Sequence, residues 1–122
     1  MSVVLVSANG KLKVNAWTWG PLHDSVASAG ILPADLWEMT RYNCSTELDE
    51  RQTATLADFL ESAILLKLGD GERLLADGTV SDVPDDGTFY RDDLAKNYSV
   101  PREALVRIID FLRAANGPVR VD

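Results

Sequence analysis

Residues 49–68 constrain this chain more than any other stretch. Leu56, Phe59, Leu60, Ala63 and Ile64 recur at helical spacing and draw one apolar stripe. Asp49 stands at the N-cap position and Gln52 follows three residues on, the pattern of a capping box. Gly69 supplies the expected left-handed stop. A helix this long with one greasy side needs a facing layer to bury it. Its last turn, residues 64–68, reads Ile-Leu-Leu-Lys-Leu, is apolar almost all round, and is expected deepest in the core.

The facing layer is legible at both ends of the chain. Residues 2–7 are rich in Val, Asn9-Gly10 is a strong hairpin signal, and residues 11–15 alternate Lys out, Leu12 in, Lys out, Val14 in. A last helix carries Ala104, Leu105, Ile108, Ile109, Leu112 and Ala115 on one side. Ser99 is placed to cap it, Pro101 falls in its first turn, and Gly117-Pro118 stop it. The closing Val-Arg-Val at residues 119–121 is positioned to add a strand to the opening hairpin. Residues 73–76 and 79–81 flank Asp77-Gly78 as a central hairpin that can join the same sheet.

Two short helices complete the set. One starts at Pro21, buries Leu22, Val26 and Ala29, and closes at Gly30; the other follows Pro33 over residues 34–42, with Leu36, Trp37 and Thr40 inward. The expected fold class is α+β: a small antiparallel sheet packed against two longer and two short helices. With 122 residues the chain suits a single compact domain, residues 1–122, that buries a core without disulfides or metal.

Charge narrows the partners. The net charge of −7 repels phosphate backbones and anionic lipid, so neither nucleic acid nor membrane is an expected partner. A basic protein, a cation or a neutral small molecule is compatible with it. Cys44 is the only cysteine, which rules out an intrachain disulfide and suits a reducing compartment. The opening apolar run lacks a basic flank and is too short for a signal peptide or a membrane span, so a cytoplasmic location is expected.

Residues 70–93 hold eight acids against Arg73 and Arg91. At the centre of that segment lies "VPDDGTFYRDD", residues 83–93. Asp82, Asp85, Asp86, Asp92 and Asp93 are hard oxygen donors of the kind Ca²⁺ or Mg²⁺ takes, but their spacing is not that of an EF-hand loop. Asp85, Asp86 and Asp92 also offer carboxylate pairs for acid–base work, with Trp17 and Trp19 to stack on a sugar. This gives the alternative reading, a small metal-dependent or carboxylate-based enzyme built on the same acidic loop.

The remaining candidates point away from catalysis. His23, Asp24 and Ser25 are triad residue types, but adjacent helical positions splay apart; His23, near a helix start, reads as a structural or surface histidine. Asn43 and Ser45 give Cys44 no activating base. There is no glycine-rich phosphate loop and no Cys/His zinc set, so no catalytic residue, metal ligand or cofactor is assigned. In an extended chain Trp17 and Trp19, two apart, point the same way, as a core wall or as a platform for a ligand or partner.

Two blocks, "NAWTWGPL" from Asn15 and "DGTVSDVPDDGTFYRDD" followed by "KNYS", together resemble a family of small uncharacterised bacterial proteins. Its members share a Trp-x-Trp-x-Pro-Leu block and an Asp-Asp-Gly-Thr-Phe block; many carry Arg where this chain has Gly20. The resemblance implies a shared surface or packed pair of loops around residues 17–22 and 85–93, with Phe89 and Tyr90 on Trp17 or Trp19 and Arg91 paired to a carboxylate. In size and acidity the chain is similar to immunity proteins that neutralise toxins. The leading expectation is a non-enzymatic binding protein holding a basic protein partner through the acidic loop, with Trp17, Trp19, Asp85, Asp86, Arg91 and Asp92 as binding residues.

Overall fold

The computed structural model describes residues 2–41, 45–83, 91 and 98–122. The opening Val-rich run forms β1 (Ser2–Ser7), which pairs antiparallel with β2 (Gly10–Asn15). The turn falls one residue earlier than the Asn9-Gly10 signal implies, because Ser7 pairs with Gly10 and the loop is Ala8-Asn9. Within this turn Gly10 alone takes a positive φ, 143°. Asn9 serves another end: its side-chain amide donates to the carbonyl of Ala114, across the molecule.

The first helix differs most from expectation. It is α1 (Ala16–Ala29), not a short helix starting at Pro21. Asn15 caps it by accepting from the Trp17 N–H at 2.8 Å, and Gly30, at φ 64°, closes it. Pro21 lies inside, where it cannot donate to the carbonyl four residues back. The next helix, α2 (Ala34–Met39), follows Pro33 and buries Trp37, with Thr40 buried just beyond its end. A short strand without a sequence signal, β3 (Thr46–Leu48), then leads into α3 (Glu50–Phe59).

The capping box forms as expected. Asp49 accepts from the Gln52 N–H at 2.8 Å and its own N–H donates to the Gln52 side chain at 3.0 Å. The regular α-helix stops at Phe59, continues as a π-helical turn over Leu60–Ile64, and tightens to a 3-10 turn over Leu65–Lys67. At the junction the Ser62 hydroxyl donates to the Asp58 carbonyl at 2.7 Å, a side-chain intrusion that loosens the backbone ladder. The last turn is not the deepest part of the core: Leu66 is 79% exposed while Ile64 and Leu68 are buried. Nor is Gly69 the left-handed stop, since the positive φ falls on Gly71.

The central hairpin is β4 (Arg73–Leu75) and β5 (Val80–Ser81), turning at Asp77-Gly78 as its sequence predicts. Its other neighbour is β6 (Ser99–Pro101), so Ser99 is a strand residue rather than a helix cap. The final helix, α4 (Arg102–Ala115), buries Leu105, Ile108, Ile109, Leu112 and Ala115, and Asn116 at φ 47° ends it. The chain then forms β7 (Val119–Val121), which pairs with β1 as expected and also with β3.

The strands make two antiparallel sheets instead of one. The first has the order β2-β1-β7-β3 and the second β5-β4-β6. Strand alternation builds the first sheet's inner face from Val3, Leu5, Val14, Leu48, Val119 and Val121. Helix α1 crosses both sheets, touching β1 and β2 on one side and β6 on the other, while α3 packs on α4. The fold is α+β, sheet against helices, around one apolar cluster that runs from Val3 to Val121.

Candidate functional site

Helical geometry separates the two tryptophans. Residues two apart on an α-helix project about 200° from each other, so Trp17 and Trp19 cannot share a face. Trp19 turns inward and is buried; Trp17 turns outward and is 44% exposed. The expectation of one two-indole platform is therefore corrected. The outward ring has a partner that sequence reading missed: Tyr98 stacks on it with ring centroids 4.5 Å apart and planes inclined by 29°. Tyr98 is itself 40% exposed, so the pair is a surface feature. Burying it would give more than ordinary contact area, because stacked aromatics are rigid and broad.

The stack stands beside the foot of the acidic segment, and a buried arginine sets that foot. Arg73 on β4 is only 5% exposed. Its Nε donates to the Val83 carbonyl at 2.9 Å and its Nη1 to the Ser99 hydroxyl at 3.1 Å. One guanidinium thus ties the chain entering residues 84–97 to the chain leaving them. Ser99 follows Tyr98 directly, which carries this restraint to the stack. Reading Arg73 as a surface charge in an acidic stretch hides this role; its place on a strand whose three residues are all buried is what exposes it.

Around this foot most of the described acids are solvated, while Glu72 is half-buried and accepts from the Gly69 N–H. Asp70, Asp77 and Asp82 are exposed. Asp77 accepts from both the hydroxyl and the N–H of Thr79, and the hydroxyl first of all holds its carboxyl below the ordinary value. Asp70 lies 3.8 Å from Arg102, whose Nε donates to the Leu68 carbonyl and whose N–H donates to the Glu72 carbonyl. Arg91 is exposed. Asp85, Asp86, Asp92 and Asp93, the aromatic pair Phe89 and Tyr90, and Cys44 lie outside the described residues. Among the described residues no three His, Cys, Asp or Glu side chains gather to hold a metal.

His23 has a structural place, in mid-helix rather than near a helix start. It is 4% exposed and stacks on Trp37 at 5.0 Å with planes 9° apart. Its Nε2 lies 2.9 Å from the Trp37 carbonyl, and the Trp37 indole donates back to the His23 carbonyl at 3.0 Å. A carbonyl only accepts, so Nε2 donates to it, and in the neutral ring Nδ1 is left as the acceptor. Among the described residues that Nδ1 finds no hydrogen-bond partner although it is buried, and neither does the Trp19 indole N–H. The Asp24 carboxylate lies 3.9 Å from His23 Nδ1, beyond hydrogen-bond reach, and no nucleophile joins them, so the triad types of this stretch assemble no relay.

No helix among the described residues is long and apolar enough to cross a membrane. Comparison of the chain with protein-family models, curated proteins and solved structures finds no match.

Proposed function

We propose that this chain is a non-enzymatic, cytoplasmic binding protein that holds a basic protein partner on the surface formed by the acidic segment, residues 70–93, and the Trp17–Tyr98 stack. The observation that carries this reading is the stack itself: two large, exposed, mutually ordered aromatics beside the segment where eight acids collect. Trp and Tyr dominate binding hot spots because they bury broad area at low entropic cost, while surrounding charge steers the partner and sets specificity. Arg73 supports the reading by tying Val83, within the segment, to Ser99 beside the stack, so less order is lost on binding. Asp85, Asp86, Arg91 and Asp92 are assigned to the charged part of the surface; Trp19, being core, is withdrawn from it. The net charge of −7 argues against nucleic acid as the partner and for a basic protein, in the manner of an immunity protein against a toxin.

The test is capture from lysate of the source cells at low and high salt, with the wild-type chain and Trp17→Ala side by side. The expected result is a basic protein retained at low salt, released at high salt, and lost with Trp17→Ala. A captured set indifferent to both salt and the substitution would contradict the proposal.

A further inference from the structure

We propose that the cleft between α1 and α2 is a second binding site, for a small organic ammonium compound. The cleft encloses about 280 Å³, the scale of a compact small-molecule pocket. Val26, Leu32 and Trp37 give it an apolar wall; His23, Asp24, Glu38 and Arg41 give it polar groups. It shares no residue with the Trp17–Tyr98 surface, so the two assignments stand or fall separately.

The charge of the cleft selects a cation. Asp24 and Glu38 carry two negative charges against the one of Arg41, and Arg41 is already engaged by Asp24 at 3.1 Å. Glu38 makes no ion pair among the described residues and is the uncompensated charge. Ala27 and Gly30 bring the C-terminal end of α1 to the cleft, and that last turn contains no basic residue. The partial negative charge of the helix end therefore adds to that of the carboxylate.

His23 supplies the specific contact. In the neutral ring its Nδ1 is a buried acceptor without a hydrogen-bond partner among the described residues, a cost that a bound donor would relieve. The Asp24 carboxylate oxygen lies 3.9 Å away and also holds Arg41. Asp24 and Arg41 are both half exposed, and an exposed pair of this kind turns outward at little cost. That movement uncovers Nδ1 for an ammonium N–H, while the ligand's carbon body lies against Val26, Leu32 and Trp37. An anionic ligand of equal size meets Glu38, the helix end and a lone pair, all unfavourable.

The test is an NMR titration of the ¹⁵N-labelled full chain with phenethylammonium chloride at constant ionic strength, with 3-phenylpropionate as the anion of similar shape. Phenethylammonium is expected to shift the amides of Ala27, Gly30 and Glu38 and the Trp37 indole N–H along saturating curves; 3-phenylpropionate is expected to leave them in place. Glu38→Gln, at an exposed position, should weaken binding about fivefold. Ala27→Leu, also exposed and compatible with the helix, should fill the cleft and abolish it. Shifts that stay proportional to concentration, an equal response to 3-phenylpropionate, or binding unchanged in either variant would overturn the assignment.

Discussion

Arg73 shows how much a single residue can hide in sequence. An arginine amid acids reads as a solvated counter-charge, yet here it is buried and its fork joins Val83 to Ser99. Arg73→Met keeps the apolar stem but leaves the Val83 carbonyl without its donor. The expected loss is about 1–3 kcal/mol in urea denaturation, with faster amide exchange at residues 83 and 99. Trp17→Ala is the converse case. The ring is half in solvent, so its removal should cost under about 1 kcal/mol while abolishing partner capture. The two indoles were distinguishable only by backbone geometry: extended chain puts Trp17 and Trp19 together, helix puts them apart, and Pro21 argued for the wrong one. Tyr98 lies in the "KNYS" block, but nothing local marks it as the partner of Trp17, 81 positions away, from 17 to 98.

At the scale of elements, local chemistry was readable and tertiary pairing was not. The capping box at Asp49–Gln52, the Asp77-Gly78 turn and the stripe of α4 each rest on contacts within a few residues, and each formed as expected. Helix ends and strand membership depend on distant groups. Ser99 has the chemistry of a cap, but pairing with Leu75 and a hydrogen bond from Arg73 draw it into β6. The π turn after Phe59 answers to Ser62 and to Arg113 of α4, which grips Asp58 at 2.7 Å and Glu61 at 3.0 Å. Those carboxylates, Asp58 first, hold the Arg113 guanidinium above its ordinary value. Asp49→Ala should cost about 1 kcal/mol by removing the reciprocal cap, read as a lower urea midpoint at unchanged slope. Leu105→Ala, at a fully buried position of α4, should cost about 2–5 kcal/mol by leaving a cavity between the layers.

Across the whole molecule, the ends of the chain close one sheet while the centre carries the charge. Strand β7 lies between β1 and β3, and Asp122 locks it: its backbone exchanges hydrogen bonds with Val4, and its side chain accepts from Arg120 and Ser45. Arg120 above all holds the Asp122 carboxyl below its ordinary value, with Ser45 second. A carboxylate whose value is lowered by folding contributes stability above its unfolded value and loses it as pH falls through the folded one. Urea midpoints should therefore drop as pH is taken below the ordinary carboxylate range, and Asp122→Asn should shrink that drop. The acidic segment is proposed to work in the other sense, as charge offered to a partner. The most direct measurement of that claim replaces Trp17 with the photocrosslinking residue p-benzoylphenylalanine in the source cells and identifies what is captured on irradiation. One dominant crosslink to a basic protein is expected, diminished when the same irradiation is done in extract at high salt. Crosslinks scattered over proteins without regard to charge, and unaffected by salt, would contradict it.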